Sequence, residues 1–449
     1  MMKYNLRQFL PLLILIGLTL YVSGRAGAEI AARDIPHAPD WDGTAPMLIS
    51  DTGGPNVADR PYIDAAPNGN KLIIVYNRKM SVGNDKDPYF RRSTNGGQSW
   101  TSPAPIHTSL GEAFNSLQIN LEIDASGTGH AVWAEADKTI MYSREPNWGN
   151  NSPTVIYTAD VEASNPQIVA IGTSTLHLVW AATDFNLGLP QIWYKRSTNG
   201  GTSWSTNTQI SPNAPEATRP HMTIDDQGNL HVVWEQTDPQ DPLITYTYYT
   251  KGTVSGSSVN WSNAVPIGDV SEDPDGSGPI PAGRSARRPV ILVADGRLHV
   301  GFTTFWQDAS QWVYYVTCSS SCQNGQNWSD NIPVSGAVVG VNANSPKYIV
   351  SDIFSLSGCI QIYFHGIDDT LQSNELILGV NSCDGWFSVG RDMVTQPQVQ
   401  SLHTSSVLTD NFIHMVYEQT GNQGTTRQIY YRRGLPPPFN LYLPFMAKG

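Results

Sequence analysis

Positive charge is in short supply in this sequence. Of its 449 residues only 15% are charged, and 39 Asp and Glu outnumber 27 Lys and Arg, for a formal net charge of −12. Nucleic-acid binding draws on clustered Lys and Arg, so this balance argues against a nucleic-acid partner. An acidic glycan is mildly repelled as well, except at a local basic pocket. Cysteine is scarce, with only Cys318, Cys322, Cys359 and Cys383. Their spacing matches no usual zinc-ligand pattern, so no metal or other cofactor is expected. Long apolar runs are absent beyond the N-terminus, which leaves no later segment able to span a bilayer. At the N-terminus, Lys3 and Arg7 precede an apolar run from Phe9 to Val22, and Ala26-Gly27-Ala28 offers a small-residue cleavage site. Residues 1–28 therefore read as an export signal. The protein is expected to be secreted or extracytoplasmic, with a retained anchor at the cell surface as the alternative.

Turn formers and aromatics, by contrast, are plentiful: 39 Gly, 31 Pro, 19 Tyr and 13 Trp. The segment from Arg60 to Ile106 shows how they are used. Apolar stretches at Pro61 to Ala65, Lys71 to Tyr76 and Tyr89 to Ser93 are separated by Pro67-Asn68-Gly69-Asn70 and a polar loop. Asn95-Gly96-Gly97 then leads to Trp100 and a fourth stretch. Such runs between Gly, Asn and Pro read as strands joined by tight turns. The second strand recurs as His130-Ala131-Val132-Trp133, His177-Leu178-Val179-Trp180 and His231-Val232-Val233-Trp234, with weaker copies at His299 and His414. Five histidines at one repeat position cannot converge on one metal, so they read as packing residues. Four antiparallel strands per repeat is the blade of a β-propeller.

The fold expected over 41–433 is all-β: a propeller of seven four-stranded blades, with six as the alternative. The last repeat runs into Pro436-Pro437-Pro438 after Arg433, which denies it a fourth strand. An orphan strand at Trp41 to Ser50 is expected to supply it, closing the ring. Residues 434–449 form a Pro-rich, apolar C-terminal tail. The pairings Cys318–Cys322 and Cys359–Cys383 are expected because each falls inside one repeat.

Two repeats carry a specific signature. Ser93-Thr94-Asn95-Gly96-Gly97-Gln98-Ser99-Trp100 and Ser197-Thr198-Asn199-Gly200-Gly201-Thr202-Ser203-Trp204 resemble the Asp-box of the sialidase superfamily, with Asn in place of Asp. The box is a turn between the third and fourth strands, pinned by side-chain bonds to backbone and by a packed Trp. It identifies a fold and says nothing of activity. Strand order puts the boxes on one face of the ring and the starts of the innermost strands on the other.

On that second face the inner strands open with a recurrent X-Pro. Three are Arg60-Pro61, Arg219-Pro220 and Arg288-Pro289, and the others are Asn165-Pro166, Ser345-Pro346 and Gln396-Pro397. The resemblance implies a carboxylate-gripping role for Arg60, Arg219 and Arg288, since guanidinium forks match a carboxylate. The alternative is that they pair with acids at the rim. It further implies Arg78 as a binding residue and Asp85 or Asp87 as the acid/base, although Asp184, Asp238, Asp308 and Asp368 occupy similar loops. The same resemblance implies a tyrosine nucleophile and a glutamate to accept its proton: Tyr348, with Tyr363 second, and Glu216, with Glu112 and Glu162 in comparable connections. The resulting expectation is an exo-glycosidase acting on terminal sialic or related acidic sugars. A non-catalytic propeller is the alternative, binding a glycan or a surface protein through loops with Trp193 and Trp306. A monomer is expected in either case. The acidic connection from Asp269 to Arg287 lies on the same face, as a lid or as a plain excursion.

Overall fold

The computed structural model describes residues 40–41, 45–50, 58–79, 86–108, 117–150, 152–183, 187–213, 215–267, 285–305, 311–335, 347–356, 359–367, 375–381, 387–391, 401–410, 412–420 and 427–435. The export segment, the C-terminal tail, Asp85, Trp306, Cys383 and most of the 269–287 connection lie outside the described residues.

The described residues are almost entirely β, with one short 3-10 turn at Gly325–Asn327. The strands form a propeller of six hydrogen-bonded sheets. Counted by sheets, the blades number six, the alternative stated from the sequence. The repeat is present seven times because the largest sheet, of eight strands, contains two repeats. One occupies Ser285–Ala294, Arg297–Phe305, Gln311–Cys318 and Ile332–Pro333; the next occupies Lys347–Leu356, Cys359–Ile367, Glu375–Asn381 and Phe387–Arg391. A single parallel pair, Gln311↔Lys347, merges them. A repeat period read from sequence counts strand sets and cannot see such a bridge.

Closure follows the expected route. Met47 and Leu48 pair with Tyr431 and Tyr430, and Asp40 and Trp41 pair with Leu435 and Gly434. The N-terminal segment thus supplies the outer edge of the last sheet.

Each second strand buries a large aromatic completely: Tyr76, Trp133, Trp180, Trp234, Phe302, Tyr363 (with Phe364 beside it) and Tyr417. The sheets pack on one another through these side chains, and burying such a residue contributes about 1.5–3 kcal/mol. The repeated histidines belong to the same packing. His130, His177, His231, His299 and His414 are buried, and each joins a third-strand tyrosine through Nδ1: Tyr142, Tyr194, Tyr249, Tyr315 and Tyr431, at 2.6–2.9 Å.

The box turns complete a latch between neighbours. In the first box the Gly97 N–H donates to Ser93 Oγ at 2.9 Å, and the Ser99 N–H donates to Asn95 Oδ1 at 3.0 Å. The second box repeats both bonds with Gly201, Ser197, Ser203 and Asn199. Trp100 then stands edge-on to Tyr431, and Trp204 to Tyr142, so each box packs on the tyrosine of the preceding blade. In the fifth repeat Cys318 takes the strand position of Ser93 and Ser197, opposite Leu298 as they are opposite Leu72 and Leu176. Its disulfide to Cys322 spans the same four residues as the Ser–Gly hydrogen bond of the boxes. Covalent chemistry here replaces a turn bond. Cys359 is likewise disulfide-bonded.

Candidate functional site

The innermost strands share one irregularity. Their ladders with the second strands break at a bulge in all seven repeats: after Asp59, Leu117, Ser164, Thr218, Arg287, Val350 and Leu402. The residues at the bulges are Arg60, Gln118, Asn165, Arg219, Arg288, Ser351 and His403. Six of them have left-handed backbones, with φ of 51°, 62°, 53°, 52°, 55° and 39° for Arg60, Gln118, Asn165, Arg219, Arg288 and His403. Non-glycine residues adopt that region at a cost, and such a ring of strained positions marks a place where side chains are re-aimed.

All seven side chains line one central cavity of about 540 Å³. Arg60, Arg219 and Arg288, the three Arg-Pro residues, are among them. In the sixth and seventh repeats the matching residues are Ser351 and His403, rather than Ser345 and Gln396, which lie outside the described residues. Gln118, Ser351 and His403 were not singled out from sequence because the residue after each bulge is not proline. Only the pairing register of the strands brings them out.

Two buried glutamates anchor the ring. Glu235 is 3% exposed; its Oε2 takes Arg219 Nη1 at 2.9 Å, and its Oε1 accepts the Arg288 N–H at 2.6 Å. Glu418 is 1% exposed; its Oε2 accepts the Arg60 N–H at 3.1 Å and His403 Nδ1 at 2.7 Å, and its Oε1 forms an ion pair with Arg427 Nη1 at 3.1 Å. The bond to His403, together with the charges of His403 and Arg427 and the Arg60 N–H, holds the Glu418 carboxyl below its ordinary range despite burial. These carboxylates fix the bulge backbones. Among the described residues, the guanidinium groups of Arg60 and Arg288 have no acceptor of their own. Burial, then the charges of Arg219 and Arg60, lower the pKa of Arg288, against the opposing pull of Glu235. A half-buried cation crowded by like charges favours an anion in the cavity.

Tyr62, Glu122 and Asp352 also line the cavity, and Asp64 lies close to Tyr62 and Glu122. Burial pushes the carboxyls of Asp64 and Asp352 up to about 7 and raises that of Glu122. These acids stitch neighbouring inner strands: Asp64 accepts the Ile123 N–H at 2.6 Å, Glu122 the Ala170 N–H at 3.2 Å, and Asp352 the Ser406 hydroxyl at 2.5 Å. No group of three or more His, Cys, Asp or Glu among the described residues is arranged to hold a metal.

Arg78, Asp87, Glu216, Tyr363 and Trp193 are not among the residues that line the cavity. Arg78 lies over the Tyr89 ring, 4.8 Å from its centroid. Asp87 is 2% exposed, within the strand Lys86–Ser93. Glu216 is exposed, with its carbonyl accepting the Thr237 N–H at 3.0 Å. Tyr348 pairs with Gly366 in the ladder, and its side chain lies outside the described residues. Tyr363 stacks on Phe354 in the core. Trp193 is partly buried and donates Nε1–H to the Ala182 carbonyl at 3.2 Å.

No family model matches the sequence, and no curated protein matches it. Solved structures do align with it. A polysaccharide lyase, an ulvan lyase, superposes with a TM-score of 0.56 at 10% identity, over 86% of this chain and 96% of that one. The structure of that lyase bound to -[GlcA(1-4)Rha3S]- aligns equally well, with the same TM-score of 0.56. A Trypanosoma rangeli sialidase aligns with a TM-score of 0.45 at 11% identity, over 90% of this chain and 60% of that one. At these identities the shared feature is the β-propeller fold.

Proposed function

We propose that this protein is a secreted, glycan-acting propeller that takes the carboxylate of a sialic or related acidic sugar between Arg60, Arg219 and Arg288. One observation carries the reading: three arginines from three blades line a single cavity, and two of them have no acceptor among the described residues. Forked donors on a rigid, strained backbone are preorganised for a planar anion. The ulvan lyase whose structure holds -[GlcA(1-4)Rha3S]- shares this architecture, which lends support to an acidic-sugar ligand. Cleavage of a terminal sugar is the enzymatic form of the proposal.

A binding-only form is favoured by a second observation. The acids lining the cavity, Glu122 and Asp352, and Asp64 beside them each accept a backbone N–H, and Asp87 and Glu216 are not among the lining residues. The test is incubation of the mature protein with a fluorogenic sialoside and with uronic-acid oligosaccharides, beside variants R60A, R219A and R288A. Turnover abolished in all three variants supports the enzyme. Saturable binding without turnover, lost in the variants, supports the binding form. Wild-type protein that neither turns over nor binds any acidic sugar rejects both.

A further inference from the structure

One ring in the cavity has unused hydrogen-bonding capacity. His365, on the strand Cys359–Ile367, is 5% exposed and lines the cavity with Arg288 and His403. Neither of its nitrogens has a hydrogen-bond partner among the described residues, and Nδ1 is sealed from solvent. The five repeat histidines are different, since each spends Nδ1 on a tyrosine. So is His403, which lies 5.8 Å from His365 between ring centres and is bound to Glu418.

Burial, with the charges of His403 and Arg288 close by, pulls the His365 pKa down to about 3, against the weaker pull of Glu418. A neutral imidazole offers one donor and one acceptor. Sealed as it is, Nδ1 is closed to a ligand, so Nε2, which lacks a partner among the described residues and is not sealed, is the nitrogen that a polar ligand in the cavity can meet. The sugar hydroxyls beside a carboxylate are polar groups of the required kind. Carboxylate and hydroxyl recognition then fall on different residues within one cavity.

We infer that His365 contacts the ligand directly and reads a hydroxyl beside its carboxylate, so that the site selects a hydroxy-carboxylate sugar over a bare carboxylate. This rests on the reading that the arginine ring holds the carboxylate.

Calorimetric titration of the full mature protein with two probes tests it. D-glucuronate carries carboxylate and hydroxyls; tetrahydropyran-2-carboxylate keeps the ring and the carboxylate alone. Wild-type protein is expected to prefer glucuronate by about tenfold or more, the scale of one good hydrogen bond. H365F and H365L, each checked by its melting curve, bring that ratio near one while leaving the affinity for the hydroxyl-free probe unchanged. H365Q, which keeps a donor and an acceptor, retains part of the preference. An undiminished preference in a folded H365F or H365L, or an equal loss for both probes, overturns the inference. R288A weakens both probes alike, which isolates the carboxylate arm. Failure of wild-type protein to bind either probe overturns the arginine reading, and this inference with it.

Discussion

Arg219 and Glu235 form a 2.9 Å ion pair in which the carboxylate is buried and the guanidinium is 43% exposed. The other oxygen of Glu235 accepts the backbone N–H of Arg288. One carboxylate thus sets both the side chain of one bulge and the backbone of the next. Glu235→Ala should cost about 1–3 kcal/mol, mainly because the Arg288 N–H loses its acceptor. Glu235→Gln keeps an oxygen for that N–H and should cost less than half as much. Urea denaturation of the two variants measures the difference.

Arg60 separates stability from function most cleanly, because its side chain has no partner among the described residues while its φ is 51°. Glycine adopts this φ without strain but loosens the unfolded chain. Arg60→Gly is therefore expected to stay within about 1 kcal/mol of wild type. Arg60→Val, branched at Cβ, should lose about 1–3 kcal/mol in the same conformation. Both should lose acidic-sugar binding. Thermal melts beside titrations check the two halves independently.

How far this was legible in the sequence depends on the kind of signal. The blades could be read because alternation, tight turns and a recurring His-x-x-Trp are local patterns. The closing strand could be read because Pro436 to Pro438 leave an edge to fill. The arginine trio could be read because Pro follows each. Three things could not. The six-sheet count turns on one hydrogen-bonded pair, Gln311↔Lys347. His403 and Ser351 enter the ring through a bulge, which is a pairing register and leaves no composition mark. His365 matters because of what does not touch it, and that is a property of three-dimensional packing alone.

The box glycines are required for two reasons at once. Gly97 has φ 77°, and a Cβ there would fall 1.8 Å from the Tyr431 hydroxyl. Gly172 has φ 64° but nothing within 4 Å of that position. Gly172→Ala should cost about 1–2 kcal/mol, the backbone strain alone. Gly97→Ala adds the clash with the His414–Tyr431 latch and should cost more than about 3 kcal/mol. Equal losses in chemical denaturation would show that the latch carries no weight.

Asp352 makes stability depend on pH. Its folded-state pKa, about 7, lies above the unfolded value because of burial. The native state therefore binds the proton more tightly than the unfolded state. Its contribution is fully present below the unfolded carboxylate range, declines as pH rises, and is lost through pH 7. Asp352→Asn mimics the protonated form. It should match wild type near pH 4 and exceed it by more than about 1 kcal/mol at pH 8. Denaturation midpoints across that range give the sign directly.

The central claim is that the arginine ring binds the carboxylate of an acidic sugar, and calorimetric titration with sialic acid and glucuronate tests it most directly. The account expects saturable binding to the wild-type protein, weakened by raised salt, with Arg60→Ala, Arg219→Ala and Arg288→Ala each losing about tenfold or more. Unchanged binding by a folded triple variant lacking all three arginines would contradict it.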